Sequence, residues 1–424
     1  MVYKVQDLRG VWRVELKPGV EGATLSNVQL FIRHGDRTSH SFYPVDHEVT
    51  YECSPQINSN YFITPTNSDT YNNASLITTH VVTIPQDSPF AKSIWRGSCI
   101  PGQLTPKGAE QQERMGRDLR RIYVDKLGFL PEVFDQDKFF VRSTDIWRTR
   151  QSATSLMTGL YPTNSSNSPS PTLRLTTLPI ELDYLFFNEQ DQCPRIRQLK
   201  SHIARSNPTL RHLYTHIPAP ILAASQIIDY PNTLSIDEVS DFVSPRVCHD
   251  HPQPCIKEAK GGGGNEEKCV DGKAVMEAMA ELRSTESAAM LRDDKRSFEL
   301  LKVGYGPFVG LVKKNVVAGK EKEGGKGVVF SLYAGHDITL LPLLAVLESL
   351  DMRWPPYAAN LLIELWETPT QKKYIRVLYN NRIVVTKSNW CDLSWCPVQT
   401  FLEHLDKFLP GEDYLEKCKE QPKR

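Results

Sequence analysis

The chain has 424 residues, 40% hydrophobic and 24% charged, with 50 basic side chains against 50 acidic ones. That length accommodates one large domain with a big insertion, or two domains. Zero net charge excludes a nucleic-acid binder that works through a global positive field, and no apolar run reaches the roughly 18 residues of a membrane span.

The stretch from Met1 to Gly10 lacks the apolar core of a signal peptide, which leaves either a cytosolic chain or a processed one. Val28 to Ile32 is a short apolar run that predicts a buried strand. It stops at Arg33-His34-Gly35-Asp36-Arg37, so residues 27–34 are a strand and the motif at its end. Two cations and an imidazole at a sheet edge suit an anion site, because open α/β sheets place ligands at strand ends. Residues 40–100 are rich in Ser, Asn, Thr and Pro and predict a long excursion with little regular structure.

A helix follows, with Thr105 as its cap, Pro106 at its first position and good helix formers from Ala109 to Val124. Phe139 to Val141 predicts a second strand, ending at Arg142. Thr144 or Asp145 caps the next helix, which carries Arg148, Ser152 and Leu156. Residues 163–176 predict a loop. The span 185–300 predicts an inserted helical subdomain with Cys-rich and Gly-rich interruptions, Gly261 to Gly264 being a flexible tip. The expected core is therefore discontinuous, over 1–184 and 301–424.

Gly327 to Tyr333 predicts another strand, ending at Ala334-Gly335-His336-Asp337. A helix from Ile338 to Leu350 follows, with Pro342 near its first turn. Leu361 to Glu367 and Tyr374 to Val385 predict strands, the second folded into a hairpin at Asn380-Asn381. Val398 to Leu409 closes the chain's regular structure as an amphipathic helix.

Nine cysteines are present, several in polar or Pro-rich loops as near pairs: Cys248 with Cys255, and Cys391 with Cys396. Such pairs predict disulfides and an oxidising, secretory-pathway setting, and the odd count leaves one thiol over. Sequons at Asn73 and Asn164 lie in polar loops. Cys248-His249-Asp250-His251 with Cys255 has the residue types of a zinc site, but the spacing matches no common zinc motif.

Three predicted strand ends share one layout, at Arg33-His34, at Arg142 and at His336-Asp337. Meeting on one edge, they pool Arg33, Arg37 and Arg142 as an anion trap, with His34, His336 and Asp337 beside it. A phosphoryl group needs a nucleophile, charge stabilisation and a proton for its leaving group, and this pool supplies all three. No metal or other cofactor is expected if the arginines neutralise the charge.

With these residues in place the chain resembles the histidine acid phosphatases, the branch of the histidine phosphatase superfamily marked by Arg-His-Gly-x-Arg and His-Asp. Gly102-Gln-Leu-Thr-Pro-Lys-Gly108 and Arg142-Ser-Thr-Asp-x-x-Arg148-Thr-x-x-Ser152 are similar to two further family segments. Within the family, Leu332 to Leu340, Leu362 to Trp366 and the Cys248/Cys255/Cys269 loop look most like the 2-phosphoxylose phosphatase group.

The resemblance implies an α/β fold: a three-layer core with a mixed, mostly parallel sheet flanked by helices, plus a smaller helical domain over the site. It implies His34 as nucleophile and phosphohistidine, Arg33, Arg37, Arg142 and His336 as phosphate ligands, and Asp337 as proton donor. Asp337 has to be protonated to act, so an acidic optimum is expected. Arg148 is expected to be an ion-pairing or supporting residue, and Asp36 a solvated or supporting one. Ser39, where many members have Pro, and Trp147, where an acidic residue is common, depart from the pattern.

The expected partner is a small-molecule or glycan phosphomonoester, such as 2-phosphoxylose, with no nucleic acid; the oligomeric state stays open. A phytase-like inositol phosphate phosphatase would need a more basic pocket rim. A catalytically silent phosphate-binding protein would have no use for the intact catalytic set.

Overall fold

The structure, a computed structural model, describes residues 22–43, 45–53, 60–61, 78–79, 89, 94–162, 172–186, 193–228, 234–260, 264–318 and 327–419. The stretch Met1 to Gly10, the sequons at Asn73 and Asn164, and positions 261–263 of the glycine tip lie outside them.

Strand β1 (Thr24–Arg33) is buried from its second residue onward, as a central strand covered on both faces must be. Three small pairings sit apart from the main sheet: β2 (Thr50–Tyr51) with β5 (Arg96–Gly97), β3 (Asn60–Tyr61) with β4 (Thr78–Thr79), and the hairpin β8 (Cys255–Lys260) with β9 (Gly264–Cys269). The main sheet adds β6 (Phe139–Ser143), β7 (Leu175–Thr176), β10 (Phe330–Gly335), β11 (Asn360–Glu367), β12 (Lys373–Tyr379), β13 (Arg382–Ile383) and β14 (Cys396–Pro397). Its order is β13-β12-β11-β1-β10-β6-β7, with β14 on β12. The half from β1 to β7 is parallel and the other half antiparallel, so the sheet is mixed as expected.

The helices are α1 (Pro106–Leu119), α2 (Trp147–Leu160), α3 (Pro194–Ser206), α4 (Pro208–Thr215), α5 (Ala219–Ile228), α6 (Ile236–Cys248), α7 (Gly272–Ala288), α8 (Ser297–Ala318), α9 (Asp337–Val346), α10 (Val398–Asp406) and α11 (Tyr414–Lys419). The alternation of β1 splits the core in two. Val28, Leu30 and Ile32 pack with Met115 and Leu119 of α1 and Leu156 and Leu160 of α2. Phe31 faces the other way, stacked on Tyr333 at 5.0 Å and edge-on to Phe308 of α8 at 5.5 Å. Three layers result. Ile203 of α3 joins that second cluster, whereas α5, α6 and α7 close a core of their own around Phe242 and Met279, capped by Tyr43.

Several local expectations change. α2 starts at Trp147 behind Ile146, which gives no side-chain cap. The Thr144 hydroxyl is instead engaged with Thr149 at 2.8 Å and His336 at 3.0 Å. The loop expected over 163–176 contains β7 at its end, and the hairpin β8–β9 interrupts the helical span. α9 stops at Val346, because Glu348 turns to φ 52°, and Pro342 lies inside that helix rather than in its first turn. The Asn380-Asn381 turn forms as expected, at φ 45° and 65°, the pair of left-handed conformations a two-residue hairpin demands.

Four disulfides form: Cys53–Cys99, Cys193–Cys418, Cys255–Cys269 and Cys391–Cys396. Cys255 does not join Cys248, because the antiparallel register sets it opposite Cys269; Cys248 is the free thiol. The zinc alternative loses Cys255 for the same reason. Among the described residues, Cys255, Glu267 and Cys269 gather three metal-type ligand atoms within 4.8 Å, and both sulfurs there are bonded to each other. No helix among the described residues is long and apolar enough to cross a membrane.

Candidate active site

Register brings the strand ends together. Arg33 lies opposite Gly335 and Ala334 opposite Ser143, so the chain leaves β1, β10 and β6 side by side on one edge. The backbone N–H of His34 donates to the Gly335 carbonyl at 3.0 Å and that of Thr144 to Ala334 at 3.1 Å. The N-cap and second turn of α1 support the loop from below. The Thr105 N–H donates to the Asp36 carbonyl (3.0 Å), Gln112 Nε2 to the Arg33 carbonyl (2.9 Å), and the Asp36 N–H to Gln111 Oε1 (3.0 Å). Contact is so close that a Cβ on Gly35 would lie 2.2 Å from the Gly108 carbonyl oxygen, which explains glycine in both segments.

His34 is 2% exposed, with Nδ1 2.8 Å from the Gly35 carbonyl oxygen. A carbonyl can only accept, so Nδ1 carries the proton and the Nε2 lone pair is free. Burial first, and then the charges of Arg148, Arg33, His336 and Arg37, hold this imidazole well below its usual 6.5. His336, its ring centroid 5.5 Å away, is held down by burial, Arg148, Arg33, Arg37 and His40 in that order. Its Nδ1 faces the Arg148 guanidinium at 3.5 Å, which can only donate, so Nε2 carries the proton toward Thr144.

Three guanidiniums surround this pair, though not the expected three. Arg33 spans Asp337 (2.7 Å) and the Pro355 carbonyl (2.5 Å), with the Tyr357 ring 4.6 Å from its centre. Arg37 bonds Asp241 of α6 at 2.7 Å and the Thr38 carbonyl at 2.8 Å. The third is Arg148, on the first turn of α2. Burial and the like charge of Arg37 push it down to about 10, and its Nε is buried without a partner. Arg142 instead bonds the fully buried Asp183 at 2.5 Å and lies over the Tyr184 ring at 4.3 Å. The reason is pleat alternation, which sends Arg142 to the face of Phe140 and Tyr184, away from the two histidines.

Among the described residues, Arg33 and Arg37 pair with two carboxylates, Asp337 and Asp241, and Arg148 with none, so the cluster carries one surplus positive charge. Such a site suits a compact anion. Asp337 opens α9 and takes a hydrogen bond from the Ile338 N–H at 2.8 Å. Asp36, expected at the surface or in support, is fully buried and 2.6 Å from His249 Nε2. The signal for Arg148 was available in the Arg142-to-Ser152 segment. Tyr357 and Asp241 carried none, since they reach the site from elements of unrelated pattern.

A pH dependence of stability follows from the two histidines. Unfolded, each binds a proton near 6.5; folded, only well below that. Their contribution is therefore complete above 6.5 and is lost as pH falls toward the folded values, by up to ~1.4 kcal/mol per pH unit for each. Asp46, raised to about 6 mainly by burial, acts in the opposite sense below that pH. The comparison is therefore with His336→Asn, whose urea midpoint should vary less steeply with pH between about 6.5 and 5.

A family model described as "Histidine phosphatase superfamily (branch 2)" matches residues 24–240 and 264–380. The chain is 26% identical over 404 residues to "Lysophosphatidic acid phosphatase type 6" of Homo sapiens, covering 93% of this chain and 86% of that protein. It is 24% identical over 441 residues to "2-phosphoxylose phosphatase 1" of Homo sapiens, covering 93% and 81%. Among solved structures, the apo form of a phytase from Hafnia alvei superposes with a TM-score of 0.50 over 93% of this chain and 98% of that one, at 16% identity, a likeness of fold.

Proposed function

The chain belongs to branch 2 of the histidine phosphatase superfamily, and on that footing we propose that it hydrolyses phosphomonoesters through a covalent phosphohistidine on His34. The observation that carries this reading is the His34 imidazole, neutral, with Nε2 free, among three guanidiniums.

The substrate phosphate settles among Arg33, Arg37 and Arg148, with His336 as a further donor once its proton moves to Nδ1 and Nε2 accepts from the Thr144 hydroxyl. Nε2 of His34 attacks phosphorus, and the bond to the ester oxygen breaks. Asp337, protonated, gives its proton to the departing alkoxide. In the second step Asp337 takes a proton from water, whose oxygen attacks the phosphohistidine and releases inorganic phosphate. The arginines meet charge on the equatorial oxygens in both steps. Holding His34 neutral well below 6.5 keeps the nucleophile usable at the acidic pH that a protonated Asp337 favours. Arg142 was expected as the third phosphate ligand; its engagement with Asp183 supports giving that role to Arg148.

For the substrate we favour a phosphorylated sugar or glycan of the 2-phosphoxylose kind. The relatives' names include that compound and lysophosphatidic acid at similar identity. The disulfides support an oxidising, secretory-pathway setting. The test is a panel of xylose 2-phosphate glycans, lysophosphatidate, phytate and an aryl phosphate, with an alkaline denaturing quench to trap phosphoenzyme. Turnover without any trapped, acid-labile phosphohistidine on His34 would sink the covalent route; preference for phytate would sink the substrate reading.

A further inference from the structure

Helix α6 lies outside the sheet and contributes none of the groups assigned above to the phosphate. From Asp241 to its C-cap His249 it nevertheless contacts the segment after His34. Asp241 makes three such contacts. Its Oδ1 accepts from Arg37 Nη1 at 2.7 Å, its Oδ2 from the His40 N–H at 2.7 Å, and its carbonyl from Ser39 Oγ at 3.0 Å. About two turns further on, His249 Nε2 lies 2.6 Å from Oδ2 of Asp36, which is fully buried. Between them Arg246 fastens the helix to the same segment, donating to the Val45 carbonyl at 3.0 Å.

Arg37 has Nη1 committed to Asp241 and Thr38, while its Nε is buried without a partner. A long side chain whose fork is already fixed loses less entropy when an anion arrives. Asp36 immediately precedes Arg37 and follows Gly35, whose carbonyl sets the His34 tautomer. A shift of Asp36 would disturb both neighbours.

We propose that Asp241 and His249 are positioning residues of the phosphate site: Asp241 sets the Arg37 fork, and His249 fixes the backbone between His34 and Arg37 through Asp36. One of the three guanidiniums of the anion site is then set by α6 rather than by the sheet. A rival account makes Asp241 a mere competitor for Arg37, and it predicts the opposite sign.

This inference rests on the phosphatase reading, so the experiment has two readouts on the full-length chain: inorganic phosphate affinity by calorimetry, and kcat and KM on an aryl phosphate. Asp241→Ala should weaken phosphate binding and raise KM by about tenfold or more, and Asp241→Asn should recover part of the loss, since its amide oxygen can still accept one bond. His249→Ala should lower kcat about tenfold, and His249→Gln should restore part of it by keeping a polar side chain packed against Asp36. Unchanged or tighter phosphate binding in Asp241→Ala, or wild-type kinetics in His249→Ala, overturns the proposal. If Asp241→Ala does not fold, Asp241→Asn and the His249 pair decide. A wild-type chain that binds phosphate without turning over the ester counts against the phosphatase reading alone, and calorimetry still judges α6.

Discussion

Replacing His34 by Ala is expected to lower kcat by about four orders of magnitude or more while the protein stays folded. The expectation rests on three features of that ring. Its proton is fixed on Nδ1 by the Gly35 carbonyl, its cationic form is suppressed by burial and by neighbouring guanidiniums, and no other ring can take its place. The neighbouring His336 ring has both its nitrogens engaged, one with Thr144 and the other facing Arg148. Single-turnover measurement with an aryl phosphate reads both the loss of the burst and the loss of phosphoenzyme. A variant within tenfold of wild type would defeat the covalent mechanism and leave only a site that binds phosphate.

The paired substitutions Arg148→Ala and Arg142→Ala should separate chemistry from stability. Arg148 has no carboxylate partner among the described residues and is the largest neighbouring charge acting on both histidines. Its loss should cost about 10²–10³-fold in kcat/KM, the range seen when one donor to a developing oxyanion is removed. Melting should change little, because a buried cation under repulsion from Arg37 is relieved. Arg142→Ala leaves Asp183 buried beside the Tyr184 ring with no guanidinium. Breaking such a pair from one side costs about 3–5 kcal/mol of stability. Urea unfolding and steady-state kinetics on both variants decide the assignment. A catalytic defect in a well-folded Arg142→Ala, with Arg148→Ala near wild type, would return the phosphate role to Arg142.

The strand ends were legible because a short apolar run that stops at a polar group marks the carboxyl edge of a parallel sheet, and Val28–Ile32, Phe139–Val141 and Gly327–Tyr333 all do so. The fate of Arg142 was not. A lone arginine at a strand end is ambiguous until the register and its partner are known, and Asp183 arrives from 41 residues away. Thr144 and Asp145 are both good cap types, but the Thr144 hydroxyl is spent on His336, a contact across 192 positions. Cysteine spacing misled in a similar way. Cys248 and Cys255 are neighbours in sequence, while hairpin register, a two-strand property, chose Cys269. The Asp241 contact to Arg37 spans 204 positions and leaves no trace in local pattern.

β10 lies between β1 and β6 in the sheet, yet it comes last of the three in the chain. As the chain emerges from the ribosome, β1 has no sheet neighbour and β6 has only the short β7 until Phe330–Gly335 has been made. Two layers of apolar helix must wait with them, exposed to chaperones and to premature aggregation. The nascent chain is also catalytically silent for most of its synthesis. His34 is made early, but His336 and Asp337, which the proposed mechanism needs, follow directly on the strand that joins β1 to β6. The joining of β1 to β6 and the arrival of His336 and Asp337 are thus one event.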